Sequence, residues 1–275
     1  KTFAKFVSFN ILSMIGLSCY ILADTYFVAK GLGSNGLTAL NIAIPVYSFM
    51  NGTGLMLAMG GATKFSIAKG NNKKEAEHWF TDTLITASFF MAVLVLAGIF
   101  FSGAITELLG ADAEVFDMTK IYLKTLLICS PFFILNNIVI CFVRNDGNPK
   151  LATTGMIVGS LSNVLLDWVF IFVTKWGMFG AVFATCLSPV ISLSILSMHF
   201  IRKKNTFRII RTKPAFSIAK SILSLGFPSL IMEFSSGIVI IIFNMLMFRL
   251  EGNIGIAAYG VIANISIVAI AMYTG

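Results

Sequence analysis

Apolar residues in this chain form long runs, each bounded by charged residues or by glycine and proline turns. An α-helix rises 1.5 Å per residue, so about 20 apolar residues cross the roughly 30 Å apolar core of a bilayer. Runs of this length occupy residues 6–29, 38–63, 81–107, 118–143, 151–174, 178–201, 219–248 and 254–275. The pattern therefore predicts an all-α integral membrane protein in which short connections join the spans.

The composition and the placement of charge support this prediction. Apolar residues make up 57% of the chain and charged residues 12%, against about 25% charge in ordinary soluble domains. If the N-terminus is cytoplasmic, 15 of the 20 basic residues fall on the inner side, as the positive-inside rule requires. We therefore predict a multi-pass protein of the cell membrane, and we assign its net charge of +8 to loops rather than to nucleic-acid binding.

A weak internal repeat appears when the chain is shifted by 219 residues. The shift aligns three pairs of small residues: Gly33 with Gly252, Gly36 with Gly255, and Ala39 with Ala258. Six spans separate the two copies, so both copies start on the same side and form parallel repeats. We expect a six-helix N-terminal lobe at 1–205, an inter-lobe linker at 206–219 and the start of a second lobe at 220–275. Twelve helices would complete the pattern, so the sequence is expected to be a part of a longer protein.

Three carboxylates lie deep within predicted spans, namely Asp24, Asp167 and Glu233. A charged group at the centre of a span costs about 2.5–3.5 kcal/mol on insertion scales, so it usually faces a protein interior or a water cavity. Counting from the outer span ends places Asp24, Asp167 and Thr185 within about one helical turn of the same depth. Asn163 precedes Asp167 by four residues and therefore shares its helix face.

This combination of residues suits cation exchange. Keeping two carboxylates in a poorly hydrated cavity charged at the same time has a high energetic cost. The pair can take up a proton, hold Na⁺ with amide and hydroxyl oxygens as further hard ligands, or pair with an organic cation. Because these options compete, one cation can displace another. The alternative is structural: a lone Asp near a span end can bond a neighbouring backbone, and for Glu233 the two interpretations are evenly balanced.

Several segments resemble the multidrug and toxic compound extrusion (MATE) family. They are Asp24–Gly33, Leu37–Pro45, Gly60–Gly70, Arg144–Pro149, Gly226–Pro228 and Ala257–Asn264. The resemblance implies twelve helices in two six-helix lobes and drug export driven by H⁺ or Na⁺. It also implies a first-lobe cation site made by an Asp on helix 1, an Asn and an Asp on helix 5, and a Thr on helix 6. These positions map onto Asp24, Asn163, Asp167 and Thr185, and Glu233 matches more loosely a glutamate that some members carry on helix 7.

The sequence thus predicts a monomeric cation-coupled antiporter that exports organic cations or drugs and needs no cofactor other than its coupling ion. We find no nucleophile–base pair, structural metal set or phosphate loop, and we therefore expect no enzymatic activity. Two alternatives remain open. A flippase for lipid-linked precursors with a related fold would need a basic cavity for phosphates, and the first lobe has no Arg or Lys deep in a span, which disfavours this alternative. A membrane scaffold or receptor would show no cation-coupled flux.

Overall fold

The computed structural model describes the backbone of residues 2–71, 73–203, 205–211 and 216–274, and the side chains of residues 22–70, 76–203, 205–211 and 216–266. Within these ranges the chain is helical and contains no strand, which confirms the predicted all-α class. The α-helices are α1 (Thr2–Asn71), α2 (Lys73–Leu108), α3 (Phe116–Ile128), α4 (Ser130–Asn145), α5 (Pro149–Trp168), α6 (Gly177–Leu196), α7 (Met198–Ile201) and α8 (Phe216–Thr274). A π-helical turn, Val169–Val173, follows α5.

Helix α1 contains two spans that are separated at a glycine. Its apolar stretch Leu22–Gly70 has 49 residues and would measure roughly 70 Å as a straight helix, more than twice the bilayer core. Gly33 interrupts the helix with a φ of 72°, a conformation that glycine adopts without the strain a Cβ would cause. We call the part before Gly33 α1a and the part after it α1b.

Helix α8 is divided in the same way at Gly252, where φ is 61°. Asn41 shows that the chain reverses there: its Nδ2 donates to Ile256 O at 3.2 Å, and its backbone O accepts from Asn244 Nδ2 at 3.1 Å. Residues twelve apart lie roughly 18 Å from each other along a straight helix, so both can reach Asn41 only if α8 folds back. We call the two parts α8a (216–251) and α8b (253–274).

Five helices of the described chain are long and apolar enough to cross a membrane, and the bent pair α3–α4 makes a sixth. Because α1 and α8 each contain two of the predicted spans, these six pieces correspond to the eight spans expected from the sequence. The two glycines that break α1 and α8 are also the first of the three pairs that the internal repeat aligns.

The helices differ from the predicted spans at several points. The predicted span 118–143 consists of two helices bent by 48°, since Pro131 lies in the first turn of α4 and cannot continue the hydrogen-bond ladder of α3. The predicted span 151–174 ends in the π-helical turn. Helix α8 begins at Phe216, three residues before the predicted span 219–248.

Residues 206–211, which lie in the segment predicted as a linker, are docked on the bundle of the first six spans through Asp146, which lies in the turn between α4 and α5. Its carboxylate accepts hydrogen bonds from Lys69 Nζ at 2.5 Å, from His199 Nε2 at 2.9 Å, and from both the backbone and the hydroxyl of Thr206. Burial alone would raise the pKa of Asp146, but the hydrogen bonds from Lys69, Thr206 and His199 hold it below the ordinary value of 3.8. Phe207, which is fully buried, fills an aromatic cluster beside this carboxylate. We call this end of the bundle the basic end, since Lys69, Arg144, Lys150 and Arg202 lie there.

Helices α1b and α8a are in direct backbone contact. A Cβ built on Gly226 would lie 1.8 Å from Met56 O, and one built on Gly60 would lie 2.0 Å from Ile222 O. Small residues at such positions let membrane helices approach closely. These glycines therefore serve close packing between the two helices.

Replacing Gly226 with alanine is expected to lower the Tm of the detergent-solubilised protein, because the new methyl group must push α8a away from the α1b backbone. Overpacking of this kind costs about 1–3 kcal/mol. The matched control is Gly103→Ala in α2, whose Cβ would meet nothing closer than 3.8 Å and should leave the Tm unchanged or slightly raised. Equal Tm values for the two variants would contradict the close contact.

Candidate functional site

Helices α5 and α6 bring three of the predicted residues into one hydrogen-bonded cluster. Asn163 and Asp167 are fully buried, and Thr185 is 5% exposed. In the amide orientation that satisfies both neighbours, Asn163 Nδ2 donates to Asp167 Oδ2 at 3.2 Å and Asn163 Oδ1 accepts from the Thr185 N–H at 3.2 Å. The four-residue spacing on α5 thus places the amide and the carboxylate side by side, and the amide links them to α6.

Asp24 of α1a completes this cluster. Its carboxyl group lies within hydrogen-bonding reach of the Asp167 carboxyl group. Oδ1 of Asp24 and Oδ1 of Asp167 are both buried, and neither accepts a hydrogen bond from any donor among the described residues. Two carboxyl groups that meet in this way repel each other if both are ionised, so a proton or a cation between them would relieve an unsatisfied site.

Tyr122 of α3 is a further member that the sequence analysis missed. It is 5% exposed, its hydroxyl group is within hydrogen-bonding reach of the Thr185 side chain, and both Asp24 and Asp167 lie near enough to act on it electrostatically. A tyrosine six residues after the first residue of an apolar helix, as Tyr122 is after Phe116 in α3, is ordinarily interpreted as an interfacial aromatic. The signal that could have identified it is depth, because it enters from the same side as Thr185 and by a similar number of residues.

The backbone around the cluster departs from regular helix in two places. Pro189 lies four residues after Thr185 and has no N–H, so the Thr185 carbonyl lacks its usual helical partner. Directly after Asp167 and Trp168, the chain passes into the π-helical turn, where Thr174 N bonds to Val169 O at 2.9 Å. Such π turns occur frequently at functional sites. The cluster therefore combines two carboxyl groups with amide, hydroxyl and carbonyl oxygens.

Glu233, the fifth predicted residue, lies apart from this cluster. It packs against Gly52 of α1b and within hydrogen-bonding reach of the Asn51 side chain, and Asn51 Oδ1 accepts from Asn137 Nδ2 at 3.0 Å. Asn51 is 18 residues from the break at Gly33 and Asp24 is nine, so the two lie roughly 13 Å apart in depth. Glu233 therefore belongs to a separate polar contact between α8a and the first bundle.

The Asp24 cluster is connected directly to α8b. Asn264 Nδ2 donates to Thr25 Oγ1 at 2.6 Å, and Thr25 is the residue after Asp24. Nearer to the helix breaks at Gly33 and Gly252, Thr38 Oγ1 donates to Asn253 O at 2.8 Å. The helix that carries Asp24 is thus held to the second half of the chain immediately beside the carboxylate.

The MatE family model matches residues 10–169, more than half of the chain. The chain belongs to this family. Its curated relatives include the multidrug export protein MepA of Staphylococcus saprophyticus, 29% identical over 95% of this chain and 59% of that protein. MepA of Staphylococcus aureus strain MRSA252 is 27% identical to this chain, over 94% of this chain and 58% of the length of that MepA protein. The chain thus spans somewhat more than half the length of these relatives.

Solved structures give the same result. A multidrug resistance MATE family transporter of the MOP superfamily in an inward-facing conformation aligns with a TM-score of 0.81 and 26% identity over 94% of this chain and 64% of that chain. The MATE multidrug transporter DinF-BH aligns with a TM-score of 0.88 over 97% of this chain and 61% of its own chain. The two sequences are 24% identical, so this likeness shows the fold alone. Together with the apolar helices, these matches identify a multi-pass membrane protein of the MATE type.

Proposed function

We propose that the full-length protein is a cation-coupled multidrug antiporter whose coupling cation, H⁺ or Na⁺, binds at Asp24, Asn163, Asp167 and Thr185. The observation that carries the proposal is the pair of buried Oδ1 atoms, one on Asp24 and one on Asp167, that accept no hydrogen bond from the described residues. A bound proton or Na⁺ would satisfy both atoms. The relatives named as multidrug export proteins support drugs as the exported substrate.

The connection between the cluster and α8b suggests how binding drives transport. Binding of a cation between the two carboxyl groups draws Asp24 on α1a towards Asp167 on α5. Because Thr25 is bonded to Asn264, this shift acts directly on the contact between α1a and α8b. A cation that binds one arrangement of these helices more tightly than another will shift the population towards it, and a competing organic cation reverses the shift.

The orientation in the membrane is part of the same proposal. The basic end is assigned to the cytoplasm because loops rich in Lys and Arg are retained there. The N-terminus is then cytoplasmic, Gly33 and Gly252 lie towards the outside, and the Asp24 cluster is in the outer half of the bundle. A cation that enters down its gradient from outside reaches this cluster first. The transporter acts as a monomer in this scheme, since all four proposed ligands come from one chain.

The test is efflux of a fluorescent organic cation from proteoliposomes that contain the full-length protein, with a H⁺ gradient or a Na⁺ gradient imposed separately. We expect one of the two gradients to accelerate efflux over protein-free vesicles, and an ionophore that collapses the gradient to remove the acceleration. Efflux that is indifferent to both gradients would refute cation coupling. A scaffold or receptor predicts that outcome, with no flux above the protein-free control.

A further inference from the structure

A small cavity at the basic end lies between the start of α5 and the end of the α6–α7 segment. It has a volume of about 230 Å³ and is lined by Asn148, Lys150, Leu151, Thr154, Met198 and Arg202. Two basic side chains, one in the first turn of α5 and one directly after α7, thus face one cavity, and no carboxylate of the described residues is in its lining. This cavity lies at the opposite end of α5 from Asp167, so the proposed coupling site does not involve it.

Neither cation at this cavity has a carboxylate partner in the part of the chain that the structure describes. Asp146 there forms a salt bridge with Lys69 and a hydrogen bond with His199, and neither Lys150 nor Arg202 takes part in these contacts. Asp146, the nearby acid, is fully buried and already accepts hydrogen bonds from several donors. Two like charges that share a cavity without a counter-ion repel each other, and a bound anion would relieve that repulsion.

The backbone at the start of α5 adds a further donor. Asn148 caps the helix: its Oδ1 accepts from Leu151 N at 3.3 Å and its carbonyl accepts from Ala152 N at 3.3 Å. Pro149 has no N–H, which leaves the N–H of Lys150 as a first-turn donor without an intrahelical acceptor. The positive end of the helix dipole favours an anion at the same place.

Of the other residues that line the cavity, Leu151 and Met198 are apolar, and Asn148 and Thr154 are polar. On α7, Met198 and Ile201 are 43% and 74% exposed, whereas His199 on the same short helix is buried. Along α5, Leu161 and Leu165 are exposed as well. An anion in the cavity would therefore have Lys150 and Arg202 as cationic neighbours and the apolar side chains of Leu151 and Met198 beside it.

We propose that this cavity binds the phosphate of an anionic phospholipid in the cytoplasmic leaflet, with Lys150 and Arg202 as its cationic ligands and Leu151 and Met198 against the glycerol and acyl region. Basic pockets between spans on the cytoplasmic side suit anionic lipid headgroups. A bound lipid would join the end of α6–α7 to the start of α5, next to the contact between Asn148 and His199.

The experiment uses the purified protein in a neutral detergent, titrated with phosphatidylglycerol or with phosphatidylcholine of the same chain length, and counts retained lipids by native mass spectrometry. At about 1 kcal/mol for each basic residue, the variant Lys150→Gln/Arg202→Gln should bind phosphatidylglycerol roughly 30-fold more weakly at one site. Its phosphatidylcholine binding should stay unchanged. The matched control is Arg208→Gln/Arg211→Gln, which removes two exposed charges from the linker and should keep the preference for phosphatidylglycerol.

Each other outcome rejects the assignment. Unchanged phosphatidylglycerol binding by Lys150→Gln/Arg202→Gln would show that the cavity is not the site. An equal loss in the control would show that only overall charge matters. Displacement of phosphatidylglycerol by inorganic phosphate at equal concentration would identify a free phosphate site instead of a lipid site. All four substituted residues are exposed, so the variants should fold normally, which circular dichroism will check.

Discussion

Cation-driven efflux by the full-length protein is expected to fall to the level of protein-free vesicles when Asp167 is replaced by asparagine. The amide keeps the size of the carboxyl group, and its oxygen can still accept the hydrogen bond from Asn163 Nδ2. It can neither take up a proton nor offer a charge to Na⁺. Asp24→Asn should give the same result for the same reason. The measurement is efflux of a fluorescent organic cation from proteoliposomes under the gradient that drives the unmodified protein.

The control for this experiment is Glu107→Gln, which removes a carboxylate from an exposed position near the end of α2 and should leave efflux unchanged. The asparagine variants should also be no less thermostable than the unmodified protein, because they remove the repulsion between two buried carboxyl groups. A loss of efflux together with retained Tm separates a coupling defect from misfolding. Gradient-driven efflux at the normal rate by Asp167→Asn would refute the proposed role of this residue.

The grouping of Asp24, Asn163, Asp167 and Thr185 could be anticipated because helix geometry alone determines depth and face. A rise of 1.5 Å per residue converts position within a span to depth, and a four-residue spacing puts two side chains on one face. The same arithmetic applies to Tyr122, but an aromatic residue in an apolar span has an ordinary explanation as core or interface. A charged carboxylate at that depth is costly to insert into a membrane, so its position carries more information about function than that of a tyrosine.

The break between α3 and α4 illustrates why proline alone does not predict a bend. Pro131 coincides with a 48° bend, whereas Pro45, Pro189 and Pro228 each lie inside a helix that continues. Neighbouring helices and side chains can satisfy the backbone groups that a proline frees within a membrane. Whether they do so depends on packing between segments that are distant in the chain. The position of a proline in the sequence does not reveal that packing.

The docking of the linker through Asp146 could not be predicted from the sequence either. The turn Arg144–Pro149 is recognisable as a cluster of helix-breaking residues, but by its local pattern Asp146 is one of several loop acids. Its partners Lys69, His199 and Thr206 lie 77, 53 and 60 residues away. No local pattern connects such positions, and only the fold brings them together.

Replacing Asp146 with alanine is expected to destabilise the protein by roughly 3 kcal/mol, the order found when one member of a buried ion pair is removed. The change leaves the buried His199 ring and the Thr206 backbone N–H without their acceptor. The Lys69 side chain is 30% exposed and can be solvated by water instead, which limits the loss of stability. Thermal unfolding in detergent should show a Tm lower by roughly 6–12 °C.

Asp146→Asn separates the effect of the charge from that of the shape. The amide oxygen can still accept a hydrogen bond from Thr206, but it no longer forms an ion pair with the Lys69 ammonium group. We expect about half the destabilisation of Asp146→Ala.

The pH dependence of the stability is a second check. The pKa of Asp146 is depressed in the folded state, so its contribution is fully present above its ordinary pKa of 3.8 and is lost as the pH falls through the folded value. The Tm difference between Asp146→Ala and the unmodified protein should therefore persist from about pH 8 to about pH 5 and shrink below about pH 4. A Tm within about 1 °C of the unmodified protein at neutral pH would mean that aromatic packing around Phe207, rather than this carboxylate, holds the linker.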